Sequence, residues 1–231
     1  MRTVVALCLL AVLCTVDANN LNILKAQVER SKTSVQNAVR QLERLRKNTE
    51  QDTVFKVKNK KIEYMMAYND YNNRILAEIS KKVKDANAKG KNAQPCYDNA
   101  LNSLRDLRNT VTSDDARCVD IAQNSIKSEI SFTDRLISTG NQLLGKLNNI
   151  FPSCYNNDIL KMQNCITLEL AKTNVAVRSL ESDAKSAENT ARSASSRVFL
   201  QANKCLSDVY NPAQSRITDI KLVADKCLRD L

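Results

Sequence analysis

Cysteine placement constrains this chain more than any other feature. Cys8 and Cys14 lie in a short apolar leader, residues 15–95 hold none, and then Cys96, Cys118, Cys154, Cys165, Cys205 and Cys227 follow. An even set of cysteines behind an export signal predicts a disulfide framework, because the compartment entered is oxidising. Cys96 to Cys118 and Cys205 to Cys227 share a separation of 22 residues, which invites local pairing. Helix geometry argues against it. Across a straight antiparallel hairpin turning near Asn211, Cys205 and Cys227 would be offset by about 15 Å along the axis, and a disulfide tolerates a Cα separation of only about 7 Å. Six cysteines allow many pairings, and the pairing stays open at this point.

The leader reads as a signal peptide over residues 1–18. Arg2 supplies a positive start, Val4 to Leu13 an apolar run, and Val16-Asp17-Ala18 small residues at a cleavage site. The run is shorter than the roughly 20 residues that span a bilayer, and no later segment is apolar enough to do so. The mature chain, from about Asn19, is therefore expected to be secreted and extracellular, without Cys8 and Cys14.

Three Gly and three Pro in 231 residues are far too few turn residues for a sheet-rich protein. An all-α fold follows: an elongated helical bundle with long coiled-coil-like helices, stapled by disulfides. Charge divides the chain. Residues 19–91 carry 17 Lys+Arg against 8 Asp+Glu, whereas 92–231 carry 17 against 16. Ala88 to Pro95, with the first Gly of the mature chain and its first Pro, reads as a linker. The expected organisation is a basic, cysteine-free helical arm over 19–91 and a six-cysteine bundle domain over 92–231.

In the arm, Leu21, Leu24, Val28, Val35, Ala38, Leu42 and Leu45 recur at steps of three and four with only Ser31 interrupting, a coiled-coil seam. The polar run 48–53 suggests a bend. A second pattern follows from about Val54 to Ala86, with Ile62, Met65, Leu76, Ile79 and Val83 on one face. In the cysteine half four helices are expected. The first covers about 97–111, with Ala100, Leu104, Leu107 and Val111 inward. Ser113 and Asp114-Asp115 suit the start of a second, stopped by Pro152. A third runs from Asn156 or Asn157 to about Tyr210. Its seam is Ile166, Leu170, Thr173, Val177, Leu180, Ala184, Ala187, Ala191, Ala194 and Val198. Asn211 and Pro212 would open the last helix, with Ile217, Ile220, Ala224 and Leu228 inward.

The chain has no histidine, which removes Ser-His-Asp and Cys-His nucleophile activation and histidine metal sites. No C-x-x-C spacing and no glycine-rich phosphate loop occurs. No catalytic residue, metal or cofactor is expected, and the chain is not expected to be an enzyme. Arg40, Arg44, Arg46 and Lys47, and Lys56, Lys58, Lys60 and Lys61, are candidates for contact with an anionic partner; the plainer reading is a solvated helix face. Tyr64, Tyr68 and Tyr71, beside Met65 and Met66, are candidates for holding an apolar ligand; the plainer reading is core packing.

Pro95-Cys96-Tyr97, Cys118-Val119, Pro152-Ser153-Cys154-Tyr155, Asn164-Cys165, Lys204-Cys205-Leu206 and Lys226-Cys227-Leu228 form a cysteine rhythm. Over 96–227 this rhythm resembles the insect secreted family typified by the tsetse EP protein domain. The resemblance implies an extracellular helical domain from an insect, with gut or secretory-tissue relatives, suspected defence roles and no catalytic residues. The residues point to a secreted non-enzymatic interaction protein, and the resemblance implies a place in gut lumen, secretion or haemolymph. Its partner would be another protein, a second copy of the chain, or an anionic microbial or glycan surface; nucleic acid is not expected. The competing expectation is an extracellular carrier of a small apolar molecule held between helices near the tyrosines.

Overall fold

The computed structural model describes the backbone of residues 2–231 and the side chains from residue 20 onward. The signal-peptide reading, with Cys8, Cys14 and Val16-Asp17-Ala18, lies outside the residues whose side chains are described. Four helices account for the fold: α1 (Arg2–Ala88), α2 (Gln94–Glu129), α3 (Phe132–Ser153) and α4 (Ile159–Arg229). No strand occurs among the described residues, so the all-α expectation holds.

These helices form two compact units, one of residues 1–48 with 130–192 and one of residues 49–129 with 193–231. The division differs from the expected arm and bundle, because α1 supplies one packed segment to each unit. In the first unit Val28, Val35, Ala38, Val39 and Leu42 of α1 are buried. They pack with Leu143, Leu147 and Ile150 of α3 and with Ile166, Leu170, Val177 and Leu180 of α4. The coiled-coil seam is therefore covered by the chain itself. Gly140 of α3 lets the three helices close up: a Cβ there would lie 2.3 Å from Val39 Cγ2 and 3.3 Å from Leu180 Cδ2. Contacts of Arg46 with Asp134 and of Val39 with Gly140 make α1 and α3 antiparallel.

In the second unit the core joins Tyr68, Ile75, Ile79 and Val83 of α1, Leu104, Leu107 and Val111 of α2, and Leu206, Tyr210 and Ile217 of α4. Helices α1 and α4 run parallel here, as the pairs Thr53–Ser195, Tyr71–Thr218 and Lys82–Asp225 show. α2 is antiparallel to α4 and is tied to it by Cys96–Cys227 and Cys118–Cys205, each with a Cα separation of 5.8 Å. The third bridge, Cys154–Cys165, closes the α3–α4 connection in the first unit, with a Cα separation of 5.5 Å. All six expected cysteines are thus paired, and the local pairs Cys96–Cys118 and Cys205–Cys227 do not form.

Several expected breaks do not occur. α1 is unbroken through 48–53, because Thr53 sits in the seam: its hydroxyl donates to the Thr49 carbonyl at 2.6 Å and accepts from Ser195 Oγ at 2.7 Å. α2 continues through Ser113, with Asp115 buried on its inner face. α4 continues through Pro212; the lost backbone bond is tolerated because Tyr210 and Ala213, on either side of the proline, are both buried. The cysteine half accordingly holds three helices, not four. The break that does form, at Ile130–Ser131, was not expected.

The true ends follow local chemistry. Gly90, at φ +81°, closes α1 in a Schellman motif, with Lys91 N–H donating to Ala86 C=O and Gly90 N–H to Asn87 C=O. Thr133 N–H and hydroxyl both donate to the Ile130 carbonyl at the start of α3. Asp158 caps α4 by accepting from Leu160 N–H at 3.1 Å and Lys161 N–H at 3.3 Å. Pro152 ends α3 as expected, within two residues.

Candidate functional site

α1 carries all the candidate cations, and the units divide them. In the first unit Arg40, Arg44 and Lys47 recur at steps of four and three, the spacing of one helix face. All three are exposed, and none has a carboxylate within ion-pair distance among the described residues. Arg40 Nε instead donates to the Gln36 carbonyl at 3.3 Å. Arg46 lies apart from this row and pairs with Asp134 at 3.1 Å.

In the second unit the four lysines separate by environment. Lys56 and Lys58 are exposed and free of carboxylates among the described residues. Lys60 pairs with Glu63 one turn on, and that hydrogen bond raises its ammonium pKa above the ordinary lysine value. Its Nζ also sits 5.5 Å from the centre of the Tyr64 ring. Lys61 turns inward, where its Nζ lies 2.8 Å from Oδ1 of Asp115. The contact is an ion pair without the alignment of a hydrogen bond, since Oδ1 has no such partner.

Beside Lys58, apolar side chains stand in water. Phe55, Ile62, Met65 and Met66 are 63%, 45%, 38% and 54% exposed. Phe55, Lys58, Ile62 and Met65 follow at steps of three, four and three, one continuous row on the helix. Ile62 and Met65 were expected to face the core; Val57, Tyr68 and Ile75 occupy it instead. The reason is Lys61, which takes a seam position between Val57 and Tyr64 because buried Asp115 receives it. A reading phased on apolar residues alone skips that position.

The tyrosines are part of the packing. Tyr68 is 1% exposed. Tyr64 stacks on Tyr210 at 5.4 Å and Tyr68 meets Tyr210 edge-on at 5.9 Å, so the rings fill the space a ligand would need. Tyr210 donates its hydroxyl to Asp115 Oδ2 at 2.6 Å. Burial, reinforced by that hydrogen bond, pushes the Tyr210 phenol well above its ordinary pKa; burial also raises Tyr68. Tyr71 shares a hydrogen bond with Thr218 at 2.8 Å. Asp115, read from sequence as a helix-start acid, is the carboxylate that unites α1, α2 and α4 here.

Among the described residues no group of three or more Cys, Asp or Glu side chains is arranged to hold a metal ion, and no helix is long and apolar enough to cross a membrane. No protein family, curated protein or solved structure matches the chain.

Proposed function

We propose that the chain is an exported, non-enzymatic binding protein that engages an anionic lipid surface, such as a microbial envelope, through the outward face of α1. One observation carries this reading: Phe55, Ile62 and Met65 are held in water in a row with the carboxylate-free Lys58. An apolar side chain moved fully from water contributes about 1.5–3 kcal/mol, and a basic residue near an anionic leaflet adds about 1 kcal/mol. Those two sources act together at a lipid interface. A sugar polyanion would use the cations and leave Phe55 and Ile62 wet. Arg40, Arg44 and Lys47 give the first unit a carboxylate-free row of its own.

Export is supported by the leader and by three bridges, which resist reduction outside the cell. Membership of the insect secreted family, and with it a place in gut lumen, secretion or haemolymph and a defence role, belongs to the same proposal. A non-enzymatic role is supported by the lack of histidine and by the engagement of buried Asp115 with Lys61 and Tyr210. A carrier built on Tyr64, Tyr68 and Tyr71 is not favoured, because the rings of Tyr64 and Tyr68 pack against Tyr210 and the Tyr71 hydroxyl is engaged by Thr218.

Vesicle co-sedimentation tests the proposal. The mature protein should bind phosphatidylglycerol-containing vesicles and leave phosphatidylcholine vesicles in solution, with binding falling steeply between low and high salt. Lys58→Glu, which reverses the charge in that row, should weaken binding at least about tenfold, and Phe55→Ser should weaken it without changing the salt dependence. Equal binding to both vesicle types, or none to either, overturns the proposal.

A further inference from the structure

In the second unit α2 and α4 leave a cleft beside the Cys96–Cys227 bridge. It measures about 200 Å³ and is lined by Ala100, Ile220, Val223 and Ala224 together with the bridge. The space follows from sequence. Ala100 and Ala224 are both buried seam residues, where larger side chains would fill the gap between the helices. An apolar cavity of about 150 Å³ is enough to take a benzene ring. Val223 is 70% exposed, so apolar surface stands open to solvent at the cleft.

Ser103, Asp219 and Ile220 are shared with an adjoining, more open cleft that adds Asp106 and Arg216. Neither Asp106 nor Asp219 has a lysine or arginine within ion-pair distance among the described residues. Arg216 is the sole cation on either lining, so two carboxylates face one guanidinium. On a chain whose formal charge is +10, this is a local reversal of sign next to an apolar recess.

We infer that the cleft binds a small ammonium-bearing amphiphile, its ring or short alkyl body against Ile220 and Val223 and its ammonium on the Asp219 carboxylate. An uncharged molecule of the same shape forms no ion pair with Asp219, and a carboxylate meets like charge. The site is independent of the α1 face: it uses α2 and α4 alone and prefers a cation.

Calorimetric titration with three probes of one shape tests it. Phenethylammonium should bind saturably. 2-Phenylethanol should bind about fivefold more weakly, the range expected for one exposed ion pair, and 3-phenylpropionate more weakly still. Asp219→Asn should bring the ammonium down to the alcohol. Ser103→Trp, at an exposed position, should fill the cleft from its edge and abolish binding of all three while leaving the circular dichroism unchanged. Equal affinities for ammonium and alcohol, undiminished binding to the folded Ser103→Trp protein, or no saturation by phenethylammonium in the millimolar range overturns the inference. Lys58→Glu should leave phenethylammonium binding unaltered, so failure here and failure at the lipid surface are distinguishable.

Discussion

At the scale of single residues, Lys61, Asp115 and Tyr210 decide the phase of the second unit. A charged pair in a helix seam costs desolvation; here one carboxylate meets a lysine of α1 and a phenol of α4. Sequence alone could not expose this, because Lys61 sits among three other lysines and Asp115 sits beside Asp114. The titration of the buried phenols has a definite sign. Their folded pKa values lie above the unfolded value of about 10, so their contribution to stability is whole below that pH. It is lost as pH rises from there toward the folded pKa. Urea melts should therefore show stability falling above about pH 10, and Tyr210→Phe should reduce the alkaline slope. Gly140 is the second decisive residue. Because a methyl group there collides with Val39, Gly140→Ala should destabilise the protein by about 1–3 kcal/mol in denaturant titration, despite the higher helix propensity of alanine.

At the scale of elements, the helices themselves were legible and their ends less so. All ten expected seam residues of α4 from Ile166 to Val198 are buried, because leucine, valine and alanine at steps of three and four leave one face only. Breaks were misplaced where a polar or proline signal lay inside a packed helix. Thr53, Asp115 and Pro212 look like interruptions in one dimension, yet tertiary partners or flanking buried residues hold each within its helix. The Ile130–Ser131 turn gave no glycine or proline signal; Thr133 and its bonds to Ile130 make it. Gly90 was readable, since it is the one glycine with a left-handed backbone and it lies in the expected linker. Gly90→Ala should cost about 1 kcal/mol, measured as a lowered thermal midpoint, with no change in helix content.

At the scale of the whole molecule, the bridges carry the account. The separation of 22 residues that recurs between Cys96 and Cys118 and between Cys205 and Cys227 is the spacing of two rungs on one antiparallel helix pair. On either helix it amounts to about 33 Å. The equal spacing was visible in the sequence; that it marked a ladder, and not two local loops, required knowing that α2 and α4 are neighbours. Loop length then sets an order of stability. In the chain-entropy account Cys118–Cys205, which encloses 87 residues, should stabilise by about 4–5 kcal/mol and Cys154–Cys165, which encloses 11, by about 3. Paired serine substitutions compared by calorimetry should rank the two bridges in that order.

The most direct test of this architecture is a disulfide map of the purified mature protein, made by proteolysis without reduction and mass spectrometry of the linked peptides. The account predicts three linked peptides joining Cys96 to Cys227, Cys118 to Cys205 and Cys154 to Cys165, with no free thiol. Peptides joining Cys96 to Cys118 or Cys205 to Cys227, or six alkylatable thiols, would contradict it.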